Sequence, residues 1–215
     1  MDGVHVIELE GVNAYVLETD HGRVLVDTGF PHTYGTLGER LEVIGAPDLI
    51  LLTHIHPDHT GGLAELRRVS AAPVAMHPVD AELLRAGRGG RPVQPGPDAD
   101  PAVVERLNKG VELPPGEVEI ELADDGDVPD YPGLRAIHAP GHCAGQVVLL
   151  WNGVLVAADA ASNREDLTLP RVAEDYELAE RTLGELSKLD FDAACFGHGT
   201  PIESGAQAMF AERWG

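Results

Sequence analysis

Three histidines and an aspartate fall within six residues of the segment Thr53-His54-Ile55-His56-Pro57-Asp58-His59-Thr60-Gly61-Gly62. Imidazole nitrogens and carboxylate oxygens are the ligands that zinc and similar divalent ions prefer. His54 and His56, two positions apart, can converge on one ion. Asp58 and His59 follow the turn at Pro57 and face a neighbouring position. This spacing predicts two ions about 3.5–4 Å apart, the arrangement of two-metal hydrolytic sites. Such a pair needs a bridging carboxylate and further histidines from elsewhere in the chain.

The elements that must position these ligands read as strands ending in loops. The apolar run Leu49-Ile50-Leu51-Leu52 directly precedes the cluster, and the sequence predicts a buried strand over 48–53 that hands the ligands to a loop. Before it, 4–10, 12–19 and 23–27 alternate short β-rich runs with turn residues at Gly11 and Asp20-His21-Gly22. Asp27 closes the third run, either as a turn-former or as a group that orients a metal-binding histidine. His32 and Tyr34 lie in a loop that borders the site or is merely solvated. A helix is expected over 36–44, stopped by Gly45, and another after Thr60 as cap, with Leu63, Leu66 and Val69 on one face. A strand over 73–76 leads to His77, a further candidate to approach the site, and a helix over 79–86.

Residues 87–100 are rich in glycine and proline and read as a long surface loop, a possible lid, before a short helix over 101–109. In the second half, 118–122 and 134–139 are strand-like. The segments 146–151 and 154–158 form a hairpin around Asn152-Gly153. A helix over 174–189, a strand over 191–196 and a final helix over 203–212 complete the chain. Three more ligand candidates stand at strand ends here: His142, Asp159 and His198. Each neighbours glycine, alanine or proline, so the backbone can turn tightly and leave the side chain uncovered. Taken singly, each is more often structural than metal-binding; with the 54–59 segment they supply the missing set.

Composition sets the outer bounds. With 215 residues the expectation is one domain spanning 1–215. There is no apolar run of membrane-spanning length and no secretory leader at Met1-Asp2-Gly3-Val4-His5, and only Cys143 and Cys195 occur. These features predict a cytoplasmic protein without a membrane partner. The formal net charge of −21 repels polyanions and argues against nucleic acid as a partner.

The motifs Asp27-Thr28-Gly29, His54-x-His56-x-Asp58-His59, Pro140-Gly141-His142, Asp159 and Gly197-His198-Gly199, in this order, resemble the metallo-β-lactamase superfamily over nearly the full chain. The resemblance implies an α/β fold, an αββα sandwich of two packed mixed sheets with helices on the outer faces. It implies two divalent metal ions, zinc first and manganese or iron as alternatives. One ion would take His54, His56 and His142; the other would take Asp58, His59 and His198, with Asp159 bridging. Two positions depart from the pattern: Cys143 stands where the family usually has threonine, and Ala158 where it usually has glycine.

The chemistry implied is hydrolysis by a bridging hydroxide, with Asp58 orienting it or shuttling a proton. A small ester, thioester or lactone is the expected substrate. Seventeen residues after His198 leave no room for the helical extension of glyoxalase II-like thioesterases, and Ala160 stands where lactonases often place tyrosine. A mononuclear iron, persulfide dioxygenase-like oxidoreductase is the alternative, and a metal-stabilised binding module without turnover a third. Selectivity is expected from loops 30–35, 87–100 and 160–172, with Phe30, His32, Tyr34, Arg88, Arg91, Asn163 and Arg164 as candidate contacts for a small carbonyl compound carrying at most one anionic group.

Overall fold

The structure is a computed structural model and describes residues 1–96 and 98–215; Pro97, within the expected loop over 87–100, lies outside the described residues. Strands β1 (Val4–Leu9), β2 (Val12–Thr19) and β3 (Gly22–Val26) open the chain, and helix α1 (Tyr34–Ile44) leads to β4 (Leu49–Leu51). Two one-turn helices, α2 (Pro57–Thr60) and α3 (Leu63–Leu66), precede β5 (Val74–Met76) and α4 (Pro78–Arg85). Next come β6 (Gln94–Pro95), α5 (Pro101–Asn108), β7 (Ile120–Glu121), β8 (Asp125–Val128) and β9 (Tyr131–His138). The hairpin β10 (Val147–Trp151) and β11 (Val154–Ala158) follows, then the short β12 (Ser162–Asn163), β13 (Leu167–Thr168) and β14 (Val172–Ala173). Helix α6 (Tyr176–Leu186), β15 (Ala193–Phe196) and α7 (Ala206–Trp214) end the chain.

Two mixed sheets result. The first runs β1-β2-β3-β4-β5-β7 and the second β15-β11-β10-β9-β8. β3, β4, β5 and β7 pair in parallel, as do β11 and β15; the hairpins are antiparallel. The alternation of side chains along each strand sorts the apolar residues into three layers. Leu49 and Leu51 point between the sheets, toward Leu149 and Val156, whereas Ile50 and Leu52 point outward against α1, α3 and α4. On the far face Val148, Leu155 and Phe196 pack against Leu183 and Phe210 of the last two helices. A strand buried on both faces must be apolar at successive positions, which is why Leu49–Leu52 shows no polar alternation.

This is the αββα architecture expected, with local differences. Thr60 caps no helix: its hydroxyl donates to the carbonyls of Ile55 and His56, and α3 starts after Gly62 without a side-chain cap. Val69 is exposed because α3 ends at Leu66. β8 went unanticipated because its sequence, Asp-Gly-Asp-Val, is polar along an outer edge of the second sheet. The loop over 87–100 is partly strapped down: β6 pairs with β14, and Arg91 is held by Asp80 and Glu174.

Candidate metal centre

The strand ends deliver the candidate ligands to one rim of the sandwich. The 54–59 segment follows β4, Asp27 follows β3, Asp159 follows β11 and His198 follows β15. The Thr53 carbonyl accepts from the Val147 N–H at 2.9 Å, so the two sheets meet beside the ligand loop. Asn13 on β2 donates its side-chain amide to the carbonyls of Phe196 and Gly199, fixing the His198 turn from the other sheet. Gly197 lets that turn in close: a Cβ there would overlap Asp159 Oδ1.

His54, His56 and His142 form one buried group. His142 Nε2 lies 3.3 Å from His54 Nε2 and 2.9 Å from His56 Nδ1. The hydrogen bonds behind the rings fix which nitrogen faces inward. His142 Nδ1 meets the Val172 carbonyl at 2.7 Å, so it carries the proton and Nε2 presents a lone pair. Thr53 Oγ1 donates to Asp27 Oδ2 at 2.8 Å and therefore accepts from His54 Nδ1 at 3.0 Å, which leaves His54 Nε2 bare. Nitrogens sharing one tetrahedral ion at about 2.0–2.1 Å stand about 3.3 Å apart, so the spacing fits a shared cation. Burial holds all three imidazoles below the usual histidine value, His142 at about 4, and their mutual proximity adds to this for His54 and His142.

Asp58, His59 and His198 form the adjoining group. Asp58 Oδ2 is 3.2 Å from His198 Nε2 and 3.9 Å from His59 Nε2. Asp159 lies between the groups: Oδ2 is 3.3 Å from His198 Nε2 and 3.6 Å from His142 Nε2, while Oδ1 is 3.4 Å from His59 Nε2. His59 Nδ1 is held by Asp27 Oδ2 at 2.8 Å, and His198 Nδ1 by the Gly11 carbonyl at 2.6 Å. Both Nε2 atoms therefore turn inward. Burial alone would depress His59 and His198, but Asp159 and the other carboxylates raise both, His198 to about 9. Burial would raise Asp58 and Asp159, yet the facing histidines hold both well below the usual carboxylate range. His59 Nε2 and Asp159 Oδ1 are buried without hydrogen-bond partners. A site of two carboxylates and orphaned inward atoms is chemically suited to cations.

The other candidates fall elsewhere. His77 points away from this centre: Nε2 meets Asp124 at 3.0 Å and the ring stacks on His138. His32 pairs with exposed Glu10 and stacks on Phe30; Tyr34 packs on the outer apolar layer. A cavity of about 500 Å³ opens on the centre and is lined by Phe30, Asp58, Asp159 and Arg164, among others. Arg91 is taken up by Asp80 and Glu174, Arg88 sits in a backbone bridge to Glu112, and the Asn163 amide is spent on the Thr200 carbonyl. Several contributors escaped the sequence reading. Thr53 had one cue, its place beside His54. Asp80, Glu174, Arg171 and the Gly11 and Val172 carbonyls had none.

A family model described as the metallo-beta-lactamase superfamily matches residues 7–198. A probable metallo-hydrolase of Bacillus subtilis, YflN, is 27% identical, over 93% of this chain and 85% of its own length. The hydroxyacylglutathione hydrolase of Anaeromyxobacter dehalogenans is 31% identical over 82% of this chain, which spans 56% of that protein. Among solved structures, an archaeal metallo-beta-lactamase superfamily protein from Sulfolobus tokodaii superposes with a TM-score of 0.70 at 20% identity, covering 100% of this chain and 85% of that one.

Proposed function

The chain belongs to the metallo-beta-lactamase superfamily, and from that premise we propose a dinuclear metallo-hydrolase that cleaves a small ester, thioester or lactone. Membership of the family and similarity to metallo-hydrolases make it a metal-dependent hydrolase; the ion count, zinc as the ion, the substrate and the residue roles are our reading. The observation that carries it is Asp159, whose Oδ2 lies within 3.6 Å of His142 on one side and 3.3 Å of His198 on the other. One carboxylate so placed suits two adjoining cations better than one.

His54, His56 and His142 would hold the first ion, His54 and His142 through bare Nε2 atoms, and Asp58, His59 and His198 the second, with Asp159 shared. Bound divalent ions supply an acidified water as nucleophile and polarise the substrate carbonyl. Asp58 would also orient the attacking water or pass a proton to the leaving group, since it lines the cavity and its side chain is 22% exposed against 6% for Asp159. Asp27 and Thr53 keep His59 and His54 in the tautomers that present Nε2. Residues 1–215 would act as one domain, because both sheets contribute ligands. The hydroxyacylglutathione hydrolase relative is consistent with acyl cleavage.

Metal analysis of chelator-free protein reconstituted with zinc or manganese tests the ion count. Two equivalents are expected, with Asp159→Ala reducing both occupancies. A plateau at a single iron, with oxygen uptake and no ester cleavage, overturns the reading.

A further inference from the structure

The cationic side chains are unevenly used. Seven of the thirteen arginines pair with a carboxylate. Among the described residues, Arg40, Arg88, Arg106, Arg164, Arg171 and Arg213 make no such pair. In a chain with 36 acidic residues, an arginine without a partner needs a reason. Three of these six, Arg106, Arg164 and Arg171, line the cavity that opens on the metal centre.

The backbone fixes two of the three close to the ligands. Arg164 follows Asn163, whose N–H donates to the His198 carbonyl at 3.1 Å. Arg171 precedes Val172, whose carbonyl holds His142 Nδ1 at 2.7 Å. The two guanidiniums thus rise from segments tied to histidines on opposite sides of the centre. Both line the same cavity; burial and then the Arg171 charge lower Arg164 from the ordinary arginine value, while Asp159 and Asp58 act in the opposite sense. Two cations on one cavity wall, neither of them in an ion pair with a carboxylate among the described residues, suit an anion. The rest of the wall is partly apolar, with Val103 and Leu107 of α5, Val111 and Phe30. Asp100 and Glu112 also line the cavity, which disfavours a polyanion and suits a single negative charge.

We propose that Arg164 and Arg171 form a carboxylate-binding subsite beside the metal centre, selecting a substrate with an apolar chain between its scissile carbonyl and a terminal carboxylate. This rests on the hydrolase reading above for the scissile end only. Planar guanidiniums donate parallel charge-assisted hydrogen bonds to a carboxylate, and a cavity of about 500 Å³ holds an acyl chain of several carbons.

Matched probes test it. With metal-loaded protein, mono(4-nitrophenyl) adipate and 4-nitrophenyl hexanoate share an acyl length and leaving group and differ in the terminal carboxylate. The adipate ester should show kcat/KM at least about tenfold higher, as expected for a charge-assisted contact. The ratio should collapse toward one in the Arg164→Gln/Arg171→Gln double variant and persist in Arg40→Gln. Calorimetric binding of free adipate against free hexanoate gives the same comparison without turnover, since each offers one carboxylate to the metals and only adipate a second. Adipate should bind at least about tenfold more tightly, and only while both arginines are present. Equal ester kinetics with equal acid binding overturn the subsite and leave the hydrolase standing. Arginine-dependent adipate binding without ester cleavage supports the subsite and overturns the hydrolase reading instead.

Discussion

Asp80 Oδ2 accepts the backbone N–H of Ile55, the residue between His54 and His56, at 3.0 Å. Its Oδ1 accepts Arg91 at 2.7 Å, and Arg91 reaches on to Glu174 Oε1 at 3.4 Å. Glu174 Oε2 in turn accepts the Ala144 N–H, and the Glu174 N–H donates to the His142 carbonyl. One charged network therefore holds both loops that deliver the three-histidine group. Asp80 is fully buried, so removing it leaves Arg91 half paired and a buried N–H without an acceptor. Asp80→Ala should cost about 3 kcal/mol of stability and weaken metal affinity by about ten- to a hundredfold. Asp80→Asn, which can still accept from Ile55, should fall between. Chelator competition alongside denaturant melts measures both; unchanged metal affinity in Asp80→Ala would remove the positioning role.

Ala158 sets up a second prediction, because it adopts a left-handed backbone with φ 47° immediately before Asp159. The ladder between β11 and β15 shifts register there, which turns the chain so that Asp159 leaves the sheet. A left-handed alanine costs about 1–2 kcal/mol. Glycine would relieve this, but it gives up about 0.8 kcal/mol of buried methyl and about 0.5–1 kcal/mol of unfolded-chain entropy. The terms nearly cancel, so Ala158→Gly should stay within about 1 kcal/mol of the natural protein. Ala158→Val puts a β-branched side chain into the same conformation inside the core and should cost more than about 2 kcal/mol. Calorimetric melts of both decide it. A valine variant as stable as the glycine variant would mean that the turn is not held left-handed.

How much of this was legible beforehand follows from how each part is encoded. The strands and the helices α1, α6 and α7 announce themselves through local periodicity, and the ligand candidates cluster at strand ends in short contiguous segments. Thr60 misled because a threonine before an apolar run looks like a cap, whereas here its hydroxyl closes the Ile55–His56 turn. Asp80, Arg91 and Glu174 are separated by up to 94 positions and meet only through tertiary packing, so spacing carries no trace of them. The Gly11 and Val172 carbonyls that fix His198 and His142 belong to the backbone and have no residue identity to read. Arg171 is visible as an arginine, but its lack of a carboxylate partner is a property of the fold.

Cys143 is a buried thiol 3.5 Å from His56 Nε2 and 3.8 Å from Nδ1. Since His56 presents Nδ1 to His142, the sulfur lies nearer to the back of the ring than to the face that meets the other ligands. Burial, with Asp80 and Glu174 nearby, pushes the thiol well above its usual value, which opposes the thiolate that ligation needs. A threonine hydroxyl can make the same contact with the ring. Cys143→Thr should accordingly keep both metal equivalents and turnover within about threefold. Elemental analysis and steady-state rates on the variant settle the matter, and loss of one equivalent would make the sulfur a ligand.

Asp58 and Asp159 share His198 Nε2, at 3.2 and 3.3 Å, but they face different surroundings. Asp159 is buried between the two groups, whereas Asp58 stands at the floor of the cavity at the start of α2, with Pro57 before it fixing the turn. Under the proposed function, position therefore gives Asp159 the task of assembling the centre and leaves Asp58 open to the cavity as well. Asp58→Asn keeps the shape and one acceptor oxygen but removes the charge and the capacity to take a proton. Turnover should fall at least about a hundredfold with KM changed only a few-fold, the pattern of an interaction made in the transition state. The ion proposed for Asp58, His59 and His198 should also loosen, while the one proposed for the three-histidine group stays. Asp159→Asn should instead lower the occupancy of both ions. Full reconstitution of Asp58→Asn at high zinc, followed by kinetics, separates the two effects. Natural turnover in the fully loaded variant would leave Asp58 as a ligand alone, with the proton carried by some other group at the cavity floor.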